Sequence, residues 1–209
     1  MGAFYRKFLK RFLDIIVAIA LGIVLLVPLF FVAILVKLTS KGPVFFKQER
    51  FGLNSKPFTL YKFRSMTDGA PIKANAEFED ITSYVTPFGM LIRKTSIDEL
   101  PQLLNIIKGD MSFIGPRPLA RTDEKVLALR KKNGADQVRP GISGLAQVNG
   151  RNNITDENKA AYDAKYASRL SMQLDIVLII ETLVSVIKRD GIFKTEQLHE
   201  LDGDKVKNG

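Results

Sequence analysis

From Ile15 to Val36 the chain reads IIVAIALGIVLLVPLFFVAILV, without a charge or a strongly polar side chain. No other feature limits the fold so firmly. A helix of this length reaches across a hydrocarbon core of about 30 Å, so the chain is expected to meet a bilayer. A cleaved signal peptide fits less well, because the run exceeds an ordinary h-region and no small-x-small cleavage site precedes Lys37. Basic residues flank both ends, with Arg6, Lys7, Lys10 and Arg11 before the run and Lys37, Lys41, Lys47 and Arg50 after it. A straight span violates the positive-inside bias on one side, whereas a helix that enters, bends and returns to the same face satisfies it. Pro28 supplies the bend, since it removes a backbone hydrogen bond and clashes with the preceding turn. It divides the run into about 13 and 8 residues, each too short to cross alone. On the residues alone, re-entry and an ordinary spanning helix kinked by proline both stay open. Upstream, Phe4, Phe8, Leu9 and Phe12 fall on one side of the first turns and basic residues on the other, as in a helix at the interface. Asp14, three residues after Arg11 and four after Lys10, is expected to pair with one of them.

The rest of the chain limits the chemistry. With no cysteine there is no thiolate nucleophile, disulfide or Cys-ligated metal, and with His199 as the one histidine a Ser-His-Asp triad or multi-histidine site is not expected. Acid, base or nucleophile must then come from a carboxylate, lysine, tyrosine or hydroxyl, and any metal should be a hard cation bound by oxygen. Lys and Arg number 31 against 22 Asp and Glu, a net charge of +9. The basic residues are dispersed and form no nucleic-acid motif, so no nucleic-acid partner is expected. Anionic lipid headgroups account for much of the charge.

Beyond Lys37 the sequence reads as one domain. PVFFKQERFG and FTLYKFRSM alternate like strands, the second placing Tyr61 and Phe63 on one face and Lys62 and Arg64 on the other. Residues 67–86 are polar and aperiodic, a loop that can carry a short helix. Leu100, Leu103, Leu104 and Ile107 keep helical spacing up to Gly109, a good helix stop. Helices are expected over 156–168 and 172–189, the latter capped by Ser171 and apolar enough to be buried or to lie on a membrane surface.

The segment Arg93-Lys-Thr-Ser-Ile-Asp98-Glu99-Leu-Pro101-Gln sets two adjacent carboxylates before a helix. One reading is a capping box, with Ser96 as N-cap and Glu99 at N3. Pro101 then sits where its missing N–H breaks a helix bond; a helix starting at Pro101 instead leaves Asp98 and Glu99 in the preceding turn, at the positive end of the dipole. Both readings stay open. In Phe113-Ile-Gly-Pro-Arg117-Pro118, two prolines stiffen the backbone around an arginine suited to phosphate. In Arg139-Pro140-Gly-Ile-Ser-Gly144-Leu-Ala-Gln147-Val-Asn149-Gly150-Arg151, three glycines permit close backbone approach to a ligand. Basic elements flanking a carboxylate pair favour an anionic, metal-bound substrate.

Taken in order, GPVFFKQERFG, YKFRSM, LIRKTSIDELPQLLNIIKGDMSFIGPRPL, RPGISGLAQVNGR and a late Leu-Asp helix resemble the bacterial sugar transferases, small monotopic polyprenyl-phosphate phosphoglycosyl transferases. The likeness covers roughly residues 4–193. It implies an α/β fold, mostly helical with few short strands. A re-entrant helix-break-helix would occupy residues 1–36, a cytosolic catalytic domain with interfacial amphipathic helices 37–194, and a polar tail 195–209. The implied reaction moves a sugar 1-phosphate from a UDP-sugar to undecaprenyl phosphate, giving undecaprenyl-diphosphate-sugar and UMP. It would proceed by a ping-pong route through a phosphosugar-aspartyl intermediate, as the first membrane step of surface polysaccharide or glycoprotein glycan assembly.

The family's Asp-Glu dyad falls on Asp98 and Glu99, its Pro-Arg-Pro on Pro116, Arg117 and Pro118, and its helix break on Pro28, preceded here by Val27 where some members have serine. Asp98 would be the nucleophile, with Mg²⁺ held by Asp98 and Glu99. Arg93 and Arg117 would hold phosphate oxygens, and Lys62, Arg139 and Arg151 are further candidates for nucleotide or phosphate contacts. The enzyme would sit in the bacterial inner membrane, among phospholipids, with its catalytic domain on the cytoplasmic face. Monomer and homodimer both stay open, and Asp175 of the late helix reads equally as a salt-bridge residue or a site residue. A membrane-attached basic adaptor and a nucleotide-sugar hydrolase are the alternatives from other classes.

Overall fold

The computed structural model describes residues 4–67, 82–150 and 154–188. Arg151, His199 and most of the polar loop and tail therefore lie outside the described residues. The chain opens with a π-turn, Tyr5–Leu9, that runs into α1 (Lys10–Val24), and a bend of 66° separates this arm from α2 (Leu26–Thr39). Among the described residues no single helix is long and apolar enough to cross a membrane; the bent pair passes that test only together.

The break falls at Leu25, three residues before Pro28 and not at it. Pro28 has no N–H to offer the carbonyl of Val24, the last residue of α1, and its ring would press on that carbonyl in a continuous helix. It sits instead in the first turn of α2, where an N–H has no intrahelical acceptor anyway. The arms are accordingly unequal to those expected from a division at the proline itself.

Both arms rest on the same body. Ala18 is fully buried against Leu60, Leu103, Ile106 and Met111, while Val36 packs with Phe63 and Ile92. The body begins with the two expected strands, paired as a hairpin, β1 (Phe45–Phe51) antiparallel to β2 (Pro57–Phe63), in a register that sets Lys62 opposite Phe46 and Arg50 opposite Phe58. After α3 (Pro87–Lys94) the chain makes a 3₁₀ run, Ile97–Gln102, and continues as α4 (Leu103–Lys108). Gly109, at φ +102°, ends α4 in the left-handed conformation that favours glycine.

A second, parallel pair joins β3 (Ser112–Ile114) to β4 (Gly141–Ser143), with α5 (Glu124–Asn133) between them. The short α6 (Leu145–Val148) leads to α7 (Asp156–Arg169) and α8 (Met172–Lys188), matching the two expected late helices. Ser171 Oγ accepts from Leu174 N–H as the expected cap.

Two glycines of the Arg139–Arg151 segment, Gly141 and Gly144, have a structural use. A Cβ at Gly141 would stand 2.1 Å from Gly115 N, and one at Gly144 2.1 Å from Gly115 O. The close approach that Gly141 and Gly144 permit is to the chain's own backbone at Gly115, ahead of Pro116.

Asp14 also departs from expectation. Its Oδ1 accepts from Phe113 N–H at 3.3 Å. Lys10 reaches Asp175 at 2.6 Å, and Arg11 donates to the carbonyls of Ile106 and Ile107. Asp14 is itself buried and takes its donor from the Phe113 backbone, which leaves Lys10 for the buried Asp175 and Arg11 for the last carbonyls of α4.

Candidate active site

The dyad is built from the turn upward. α3 ends with Arg93 and Lys94 in its last turn, and Ser96 then takes a left-handed backbone at φ 57° that redirects the chain. Ser96 makes no side-chain capping bond, so the capping box is not formed. Asp98, Glu99 and Pro101 share the 3₁₀ run, two residues farther from the α-helix than a start at Pro101 requires.

One residue that sequence reasoning missed fixes this turn against the hairpin. Asn105, fully buried on α4, accepts from Tyr61 N–H at 3.1 Å and donates to Thr59 O at 2.7 Å, standing in for a neighbouring strand along the edge of β2. Lys62, next along β2, then meets the dyad: its Nζ is 2.5 Å from Glu99 Oε1. Arg117 Nη2 approaches the same oxygen at 3.7 Å.

Asp98 is only 9% exposed. Burial pushes its carboxyl up to about 6, with Glu99 adding to the rise, while Lys62, Arg93 and Arg117 pull it back. Burial likewise lowers the Arg93 guanidinium, which Asp98 and Glu99 support and Arg117 opposes. The structure thus brings Asp98, Glu99, Lys62, Arg93 and Arg117 together.

Arg50 joins them. Phe51 N–H donates to Leu119 O at 2.8 Å, and this bridge carries the end of β1 to the Pro-Arg-Pro element. Arg50 is fixed by two bonds to Gln48 Oε1 and lies 3.9 Å from Asp123, with Arg117 lowering and Glu99 raising its guanidinium after burial, the largest effect. The signal in the sequence was strand alternation, which puts Arg50 and Lys62 on one face once the register is known.

Arg139 is placed elsewhere: its Nε donates to Gly109 O at 3.1 Å, at the end of α4 remote from the dyad, beside the carbonyls taken by Arg11. Asp175 is also committed, accepting from Tyr5 at 2.6 Å, Lys10 at 2.6 Å and Tyr166 at 2.7 Å, and so ties the first turns of the chain to α7 and α8.

Chemically, the cluster pairs a shielded carboxylate, Asp98, with more cations than carboxylates. It suits an anion whose charge the cations take up, and a nucleophile that burial keeps poorly solvated. Among the described residues no three His, Cys, Asp or Glu side chains gather into a metal cage. Two adjacent carboxylates nevertheless fit Mg²⁺, which typically takes one or two protein carboxylates and completes its shell with water and substrate phosphate.

The chain's match to the family model of the bacterial sugar transferases runs over residues 5–189, the whole of the fold just described. The chain belongs to that family and is an enzyme of the phosphoglycosyl transferase class. It is 45% identical over 190 residues to "Uncharacterized sugar transferase EpsL" of Bacillus subtilis, covering 91% of this chain and 93% of that one. It is 39% identical to a "UDP-glucose:undecaprenyl-phosphate glucose-1-phosphate transferase" of Caulobacter vibrioides, over 88% of this chain and 72% of the relative. A third relative, the "UDP-N-acetylgalactosamine-undecaprenyl-phosphate N-acetylgalactosaminephosphotransferase" of Aeromonas hydrophila, is 40% identical over 86% of this chain, which spans 44% of that longer protein.

Proposed function

We propose that this enzyme transfers a sugar 1-phosphate from a UDP-sugar to undecaprenyl phosphate, releasing UMP, in polysaccharide assembly at the cytoplasmic face of the bacterial inner membrane. The named relatives support the substrate pair. The observation that carries the mechanism is Asp98, a buried carboxylate beside Glu99 and among Lys62, Arg93 and Arg117. An Asp98 oxygen attacks the sugar-bearing phosphorus, the bond from that phosphorus to the bridging oxygen breaks, and UMP leaves with the electron pair. The lipid phosphate oxygen then attacks the same phosphorus, and the Asp98 carboxylate leaves. Splitting the transfer in two means that the two anionic substrates never react directly.

Arg117 and Arg93 hold non-bridging oxygens as they pass through the transition state, and Lys62 keeps Glu99 in place beside them. Mg²⁺ held by Asp98 and Glu99 would neutralise the diphosphate and the leaving group. Arg151, outside the described residues, remains a candidate for the nucleotide.

The bent anchor, in the same reading, is re-entrant. Tyr5, Lys10 and Arg11 at one end and Val36 and Lys37 at the other all contact the body or its approach, which a straight span would separate. The apolar outer face of α8, with Ile176, Ile179, Ile180 and Leu183 exposed, then lies on the headgroup layer.

The test is a donor-only incubation. UDP-glucose, UDP-galactose and UDP-N-acetylgalactosamine, each labelled in the sugar, are mixed with enzyme and Mg²⁺ without lipid and quenched rapidly. A competent donor should leave sugar phosphate on Asp98 with a matching burst of UMP, and Asp98→Asn should abolish both. UMP released without any lipid-linked product when undecaprenyl phosphate is added would mark a hydrolase instead.

A further inference from the structure

Arg117 is held at both of its peptide planes. Gly141 N–H donates to the Pro116 carbonyl at 2.9 Å, and Arg130 Nη1 donates to the carbonyl of Arg117 itself at 2.8 Å. Pro116 and Pro118 have fixed φ, and the helical region is disfavoured for a residue before proline. A side chain 51% exposed to solvent therefore departs from a Cα with very little freedom.

The donor on the second plane is unusual in its surroundings. Arg130, on α5, donates from Nε to Asp163 Oδ2 of α7 at 2.8 Å, with Nη2 in ion-pair contact with the same oxygen at 2.6 Å but making no hydrogen bond among the described residues, and the two side chains are 5% and 1% exposed. Asp163 Oδ1 has no hydrogen-bond partner among the described residues. Burial pushes the Asp163 carboxyl up, with Arg130 the principal group and Lys159 a lesser one pulling it back. An interior ion pair with an oxygen left unmatched is a poor source of net stability, because desolvation offsets most of the attraction. What the pair does secure is direction: Arg130 cannot turn away from Asp163 without leaving a buried charge unmatched, so its remaining arm stays on the Arg117 carbonyl.

We propose that Asp163 and Arg130 are positioning residues for Arg117, a buried brace running from α7 through α5 to the peptide that carries the phosphate-gripping guanidinium. The proposal rests on the transferase reading of the site. Neither residue touches substrate; both act through the place from which Arg117 reaches.

Arg130→Lys tests this, because an ammonium keeps the charge for Asp163 but lacks the planar fork that serves two acceptors at once. Asp163→Asn is the second variant, keeping size and an acceptor oxygen. Three quantities are compared with wild type: thermal unfolding, UMP release with a competent UDP-sugar and undecaprenyl phosphate, and affinity for UDP alone. Both variants should unfold cooperatively, release UMP at least tenfold more slowly and bind UDP more weakly. Placed on Arg117→Lys, either change should alter rate and affinity by less than about twofold further, since residues acting through one side chain are not additive. Losses that add to those of Arg117→Lys, wild-type-like turnover and affinity, or failure of both variants to fold would each overturn the brace. Wild-type enzyme that binds UDP but never releases UMP would sink the transferase reading alone, and the UDP affinities would still decide the positioning.

Discussion

Asp98 faces opposite demands from folding and from chemistry. Its folded carboxyl titrates near 6 against an ordinary value of 3.8, so between those values the folded protein keeps a proton that the unfolded chain has released. The contribution of this group to stability is full below about 4 and is lost as pH rises through about 6. Attack on phosphorus needs the ionised form, which appears over the same interval. In EDTA-treated protein, denaturant unfolding at pH 4.5 and pH 7.5 should show wild type losing on the order of 2 kcal/mol relative to Asp98→Asn. An equal pH response of the two proteins would remove the buried-carboxylate account. The dyad was legible in the sequence as two adjacent acids before a proline, with capping and a functional turn both open on spacing alone; its catalytic reading came from the family resemblance, and the missing Ser96 cap bond is what the structure adds. Arg50 was not, since its approach to Arg117 depends on the Phe51–Leu119 bridge between segments far apart in the chain. Lys10 and Asp14 show the same limit: a spacing rule for neighbours on a helix cannot foresee Asp175, 165 residues away.

Among the elements, the two strands of the hairpin, the late helices and the stop at Gly109 follow from local pattern. α5 does not, for its sequence EKVLALRKKN carries no clear apolar stripe, and it is held instead through Val126 and the buried Arg130. The parallel pair β3–β4 was equally hidden. Its three-residue strands are too short to alternate visibly, and two of the glycines that suggested a ligand cradle, Gly141 and Gly144, serve the backbone crossing at Gly115. The joint between α4 and β2 depends most on one side chain. Asn105→Ala would leave Tyr61 N–H and Thr59 O without these part-buried bonds, at a cost of about 1 to 2 kcal/mol. Because that joint also sets Lys62 against Glu99, turnover should fall by more than the folded fraction accounts for. Activity that tracks the folded fraction alone would mean that the Lys62–Glu99 contact does not depend on Asn105.

At the scale of the whole molecule, the anchor and the catalytic body are one packed unit, and the topological prediction follows from that. In this cysteine-free chain, Gly2→Cys and Lys41→Cys should both be shielded from an impermeant thiol reagent in intact cells and both react after lysis. Pro28→Leu supplies the N–H donor that the Val24 carbonyl lacks and should straighten the bend, exposing a cysteine at position 2 to the outside in part of the population and reducing transfer. Labelling of Gly2→Cys in intact cells with Pro28 present would replace re-entry with a span. The depth of the wedge is set by its packing. Ala18 is buried against the body, and Leu25, at the bend, lies seven residues on, about 10 Å along a helix and less than half of a hydrocarbon core. Such an anchor never carries a charged segment to the far side of the bilayer. On the proposed re-entrant reading its installation would be a partitioning event and not a translocation: the wedge would enter after synthesis, from the cytosol. Once seated it would widen one leaflet and leave the other untouched, so its hold on the membrane should respond to lateral pressure and curvature on that side alone.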